Sequence, residues 1–121
     1  MSLVVSEICL DVNDLDRMEA FWTAALGRPA ERGTDDGDAY AELALAPGLV
    51  LLLVVVPERK TVKDRLHLDL SPAGADQADE VARLEALGAT RADVGQGPDV
   101  SWVVLADPEG NEFCVLAGRR D

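Results

Sequence analysis

The chain has 121 residues, of which 48% are hydrophobic and 28% are charged, and its formal net charge at pH 7 is −12. The hydrophobic fraction supports a packed core within one domain rather than a disordered chain. The negative charge repels phosphate groups, so nucleic acids and anionic membrane surfaces are not expected as partners.

The first part of the chain predicts a strand, a helix and three more strands. Asn13 and Asp14 can accept the first free amides of a helix, and Gly27 can end it. Between them, apolar residues recur at three-and-four spacing. Polar residues at 32–38 indicate a turn, and Pro47-Gly48 indicates another. The predicted strands cover 3–12, 29–33, 39–46 and 49–56, and the predicted helix covers 15–26.

The second part repeats this order after a charged connector at 58–63. Its helix has an apolar stripe and ends at Gly88. A short tail at 118–121 follows the last strand. The stripe consists of Ala78, Val81, Leu84 and Leu87; the predicted strands cover 65–70, 90–94, 100–105 and 112–116, and the predicted helix covers 75–87.

The two parts also resemble each other in sequence. ICLDV at 8–12 corresponds to LHLDL at 66–70, and both helices end in Ala-Leu-Gly. One copy is too small to form a sufficient core alone, so the two are expected to share an interior and to leave a groove between them. This predicts an α+β fold of two tandem βαβββ modules, at about 1–57 and 64–118, within a single domain at 1–121.

Strand alternation separates the polar side chains from the apolar ones. In each opening strand every second residue is aliphatic, which predicts that the helices cover Ile8, Leu10 and Val12 in one module and Leu66, Leu68 and Leu70 in the other. The residues between them should then line the groove, where polar groups must pair, stay hydrated or bind a ligand. The predicted groove residues are Glu7, Cys9, Asp11, Arg65, His67, Asp69, Trp102, Glu112 and Cys114, with Leu116 beside them.

His67 is the only histidine. It is a candidate metal ligand or proton shuttle, and the alternative is a structural hydrogen bond to Asp69 or Asp11. Cys9 and Cys114 have no disulfide or zinc-knuckle spacing, and the default interpretation of both is a free thiol packed as a small buried side chain. The longest apolar stretch, 49–56, is too short to span a bilayer, and no signal-like segment opens the chain, so a cytoplasmic location is expected.

Four segments resemble the vicinal oxygen chelate superfamily, in particular its glyoxalase-like domains of the glyoxalase, bleomycin-resistance and extradiol-dioxygenase group. They are DVNDLDRMEAFWTAALGRP at 11–29, RLHLDL at 65–70, VARLEALGA at 81–89 and VVLADPEGNEFCVL at 103–116. The resemblance implies that the modules form an incompletely closed, eight-stranded, barrel-like sheet with a central cleft.

The resemblance also implies metal ligands on the first and last strand of each module. His67 occupies one of these positions, and Glu7 falls at the corresponding position of the first module, although the internal repeat aligns Cys9 there instead. Cys114 stands at the usual glutamate position, with Glu112 two residues earlier, and the strand at 49–56 offers no ligand. The resemblance therefore implies a degenerate site for a divalent metal such as zinc, with His67 and Glu7 as candidate ligands.

Three functions stay open at this point. The first is a small-molecule-binding protein that acts as a metal-assisted lyase or isomerase. The second is a metal-independent protein that sequesters its ligand, as bleomycin-resistance proteins do. The third is an accessory domain that acts by self-association, because exposed sheet edges make a homodimer the expected assembly.

Overall fold

The computed structural model describes residues 1–118, so most of the predicted tail at 118–121 lies outside the described residues. The chain consists of two compact units, Met1–Arg59 and a second unit that starts at Lys60. Each unit contains one helix and four strands in the order βαβββ, which confirms the predicted α+β fold. No helix among residues 1–118 is long and apolar enough to cross a membrane.

In the first unit, four strands form one mixed sheet in the order β1-β4-β3-β2. β1 pairs with β4 in parallel, and the other neighbours are antiparallel. Asp36 and Gly37 form a two-residue turn with positive φ angles, so the hairpin turn is shorter than the predicted 32–38. The elements are β1 (Glu7–Val12), α1 (Leu15–Leu26), β2 (Ala30–Asp35), β3 (Asp38–Ala46) and β4 (Leu49–Val55).

The core of the first unit lies between the sheet and α1. Leu51 and Leu53 of β4 are fully buried, and α1 contributes Met18, Phe21 and Trp22. The Phe21 and Trp22 rings meet edge to face at a centroid distance of 5.2 Å. The helix has its predicted bounds because its apolar period, the Asp14 cap and Gly27 at φ 64° agree.

The predicted first strand was too long at its N-terminal end. The last ladder contact there is the bond from the Val50 amide to the Ser6 carbonyl, because β4 begins at Leu49 and offers no partner to earlier residues. Leu3, Val4 and Val5 consequently have no regular structure and are exposed.

The second unit repeats the topology, with strand order β5-β8-β7-β6. β5 pairs with β8 in parallel, and β8, β7 and β6 are antiparallel. The strands of residues 1–118 thus form two four-stranded mixed sheets that are not closed into a barrel. The elements are β5 (Asp69–Leu70), α2 (Gln77–Leu87), β6 (Thr90–Arg91), β7 (Val103–Ala106) and β8 (Glu112–Val115).

The opening strand of the second unit is much shorter than the predicted 65–70. The ladder to β8 starts only where the Cys114 amide donates to the Leu68 carbonyl, at 2.9 Å. Leu66 therefore lies outside the sheet and is 75% exposed, so its predicted burial under the helix is wrong. On α2, Val81 and Leu84 are buried as expected, whereas Ala78 and Leu87 are exposed.

Asp107 closes the turn between β7 and β8. It is buried, and its Oδ1 atom accepts hydrogen bonds from the amides of Glu109 (3.0 Å) and Asn111 (2.9 Å). The Asn111 side-chain amide donates to both of its carboxylate oxygens. A buried carboxylate with this many donors holds the turn at the start of β8.

Asp107→Ala is expected to destabilise the fold by about 2–3 kcal/mol, because it leaves buried donors without their charged acceptor. Urea denaturation would measure this loss, with Asp99→Ala at an exposed site as the control. Equal stability of the two variants would show that the turn does not depend on this carboxylate.

Candidate functional site

Strand register brings a row of side chains to one face of the second sheet. Asp69 of β5 pairs with Cys114 of β8, which pairs with Val104 of β7. This row lies in a pocket of about 320 Å³. The pocket is lined by Lys63, Asp64, His67, Asp69, Val94, Gly95, Gln96, Trp102, Val104, Glu112, Phe113, Cys114 and Leu116.

Three potential metal ligands converge in this pocket. His67 Nδ1 lies 2.8 Å from Asp69 Oδ1 and 4.0 Å from Cys114 Sγ. One ligand atom from each side chain lies within 4.8 Å of the other two. His67 and Asp69 are about half exposed, whereas Cys114 is buried. The cluster therefore combines an accessible nitrogen and oxygen with a sulfur at the base of the pocket.

The Cys114 thiol is strongly biased toward its protonated form. Burial raises its pKa to about 11, and the neighbouring Asp69 carboxylate adds to this effect, while Lys63 opposes it. Sequence reasoning treated this residue as a packed thiol, and its burial agrees with that interpretation. A thiol in this state is a poor nucleophile, but a bound cation can displace its proton.

A second polar group surrounds Glu112. Glu112 and Asp64 line the same pocket, and Lys60, which is not among the lining residues, contacts Glu112. Lys60 Nζ is 2.7 Å from Glu112 Oε1, and the Asp64 and Glu112 amides each donate to the other residue's carboxylate at 3.2 Å. Burial, and then the charge of Glu112, raise the pKa of Asp64. Burial would also raise the pKa of Glu112, but the bonds from Lys60 and the backbone outweigh it and lower that pKa.

The two carboxyl groups of this second group therefore have different roles. Glu112 is the ionised partner of Lys60, and Asp64 is the one that takes up a proton more readily. Sequence reasoning missed Lys60 and Asp64, because they lie in or beside the charged connector at 58–63, which was interpreted only as a boundary. The signal in the sequence that could have indicated them is their spacing of four residues together with their opposite charges.

The remaining predicted groove residues are distributed as follows. Glu7, Cys9 and Asp11 lie on the exposed face of β1, in the first unit, with the Cys9 sulfur 4.0 Å from Glu7 Oε2. Cys9 is exposed, so the default interpretation of a buried thiol is wrong for it, because Cys9 lies on the exposed face of β1, opposite to Ile8 and Val12. Arg65 is exposed and does not line the pocket of the second unit.

Comparisons with known proteins agree with this fold. FosX, a fosfomycin resistance protein from Listeria monocytogenes solved with Mn(II) and sulfate, has a TM-score of 0.76 and 19% identity, covering 98% of this chain and 95% of that one. Leishmania major glyoxalase I has a TM-score of 0.67 and 19% identity, with 95% and 86% covered. The oxidase ChaP-H2 has a TM-score of 0.67 and 14% identity, with 99% and 96% covered. No curated protein sequence matches the chain.

A glyoxalase-like family model matches most of the chain, and together with the repeated βαβββ topology and the fold of these neighbours this match fits the vicinal oxygen chelate superfamily. Within it, the chain belongs to the glyoxalase-like domain family, whose model matches residues 7–116. The predicted resemblance is therefore confirmed. At the identities of the solved neighbours, the likeness concerns the fold, and function has to be argued from the site.

Proposed function

We propose that the pocket of the second unit binds a small molecule next to a divalent metal ion held by His67, Asp69 and Cys114. The convergence of one nitrogen, one oxygen and one sulfur ligand in a single pocket carries this proposal. FosX of Listeria monocytogenes, which has the same fold, was solved with Mn(II). Glu7, the other ligand predicted from the sequence, stays a prediction.

The donor set fits zinc better than manganese. Zinc accepts imidazole, carboxylate and thiolate ligands at about 2.0–2.3 Å, which places adjacent ligand atoms roughly 3.5 Å apart. The observed distance of 4.0 Å between His67 Nδ1 and Cys114 Sγ requires only a small contraction. Three protein ligands would leave one coordination position for a ligand, as in catalytic zinc sites.

This arrangement suits a metal-assisted lyase or isomerase. A bound divalent ion would polarise an oxygen-bearing group of the substrate. Among the chain's own groups, the Asp64 carboxyl is placed to exchange a proton with the substrate, because its pKa is raised and it lines the same pocket. Glu112, which accepts a hydrogen bond from Lys60, also accepts one from the Asp64 amide and thereby orients this carboxyl group.

Zinc titration of metal-free, untagged protein tests the proposal. We expect near-stoichiometric binding, with affinity for zinc well above that for manganese because of the thiolate ligand. Cys114→Ser should weaken zinc binding by at least about 10- to 100-fold, the cost usual for losing only an outer partner of a metal ligand, while Cys9→Ser, a matched change at an exposed cysteine, should leave it unchanged.

The pH dependence gives a sharper test of the sulfur ligand. Because the Cys114 pKa is about 11, the thiol must release a proton to bind zinc throughout the neutral range. Between pH 6.5 and 8.5, the ratio of the zinc affinity of the unmodified protein to that of Cys114→Ser should therefore rise about tenfold per pH unit. Parallel pH profiles would exclude Cys114 as a ligand.

A second candidate function is sequestration of a ligand without a metal. It is favoured by the apolar half of the pocket, which is formed by Val94, Trp102, Val104 and Leu116. Such a surface can hold a ligand by burial alone. Absence of zinc and manganese binding in the titration would favour this function. The predicted homodimer and cytoplasmic location stay predictions; the dimer is tested by solution mass against protein concentration.

A further inference from the structure

We infer that Trp102 is the specificity-determining residue of the pocket and that the ligand is an amphiphilic molecule with a planar aromatic ring, which stacks on the Trp102 indole. This inference rests on the proposed role of the pocket as a small-molecule site, but not on the metal. The change from apolar to polar side chains along the pocket indicates the chemical class of the ligand.

Register orders the pocket-facing side chains along β7 and β8. The ladder runs from the pair Val103–Val115 to the pair Ala106–Glu112. Trp102 and Leu116 each lie one residue beyond the first of these pairs, and both line the pocket at that end. Asp69 joins at the middle through its pairing with Cys114. The pocket therefore changes from apolar at the Trp102 end to ionised at the Glu112 end.

Side-chain hydrogen bonds to the backbone fix the shape of the apolar end of the pocket. Gln77, at the start of α2, donates through Nε2 to the carbonyls of Ser101 (2.8 Å) and Val115 (3.0 Å), the residues directly before Trp102 and Leu116. Gln96, in the loop that lines the pocket, accepts from the Val94 amide at 2.8 Å and donates to the Ala92 carbonyl at 3.1 Å. These bonds hold the backbone around the indole, so this side of the pocket is preorganised for a ligand.

Trp102 itself is not a core residue. It is 40% exposed, whereas Trp22 in the first unit is 1% exposed. A tryptophan that lines a pocket and keeps a large part of its surface in water gains most from a flat apolar partner, because stacking adds to the burial of both rings. A pocket of about 320 Å³ accommodates a small aromatic compound and excludes a folded partner.

The two tryptophans allow a direct test by NMR, because the protein has only two indole N–H groups. The probes are 2-naphthol and its saturated analogue decahydro-2-naphthol, added to metal-free protein in the presence of EDTA. We expect 2-naphthol to shift the Trp102 indole resonance, to leave that of Trp22 unchanged, and to bind roughly 3- to 10-fold more tightly than the saturated analogue.

Two variants separate stacking from general hydrophobicity. Trp102→Phe should still bind 2-naphthol more tightly than the saturated analogue. Trp102→Leu should bind the two probes with about equal affinity. Both variants should be folded. Equal affinities of the two probes for the unmodified protein, unchanged preference in Trp102→Leu, or no binding of 2-naphthol up to its solubility limit would each overturn the inference. Because EDTA is present, none of these results depends on zinc binding, and a failed zinc titration leaves this test intact.

Discussion

Replacing His67 with alanine should abolish stoichiometric metal binding, with a loss of zinc affinity of at least about 100-fold. His67 supplies the only imidazole of the chain, and its Nδ1 atom lies 2.8 Å from Asp69 Oδ1 and 4.0 Å from Cys114 Sγ. Without it, one carboxylate and one protonated thiol remain, and neither holds zinc at neutral pH without a nitrogen partner. Calorimetric titration with zinc at pH 7.5 would measure the effect.

This variant should keep its fold, because the His67 side chain is 44% exposed. Its urea midpoint should match that of the unmodified protein, which separates loss of a ligand from loss of structure. Asp38→Ala, at an exposed position of the first unit, is the control for non-specific binding of metal to an acidic protein. Undiminished zinc affinity in His67→Ala would refute the metal site.

Replacing Trp22 with alanine should cost about 3–5 kcal/mol of unfolding free energy, the usual range for an aromatic side chain in a packed core. Trp22 is 1% exposed and packs edge to face against Phe21 on the buried side of α1. A domain of this size has a total stability of about 5–15 kcal/mol, so the variant should unfold at a markedly lower temperature or fail to fold.

Trp102→Ala is the matched control, since it removes the same side chain from a pocket wall that is 40% exposed. It should cost about 1 kcal/mol or less, as surface changes do. Denaturant titration of both variants, followed by circular dichroism, measures the difference. Similar costs would mean that Trp102 is a core residue, and its assignment as a ligand platform would have to be abandoned.

The sequence was most informative where several local signals agreed. The bounds of α1 follow from an apolar period, a capping aspartate and a glycine in the left-handed conformation, and all three act within a few residues. The βαβββ order could be read twice, because both parts carry the same strand, helix and turn signals. Prediction was poorer at 65–70, where alternation of leucine with polar residues is typical of a strand but only Asp69–Leu70 finds a partner.

In the candidate site too, some residues follow from local sequence patterns and others do not. Alternation predicts that the groove faces of two strands carry His67, Asp69, Glu112 and Cys114, and the structure brings these four side chains into one pocket. It did not reveal that Asp64 lines the same pocket or that Lys60 contacts Glu112, because the contacts of these two residues with Glu112 span 48 or more residues of sequence. Contacts of that kind depend on how the chain returns to β8.

The sequence alone thus determined the family, the repeated topology and the polar faces of β1, β5 and β8, since these depend on patterns between near neighbours. Only the tertiary structure decided which polar residues meet, how short β5 is, and that Cys114 is buried while Cys9 is exposed. Strand register and burial set these properties, and both depend on which distant segments pair. The pKa of Cys114, and with it the pH dependence expected for metal binding, follows from that pairing.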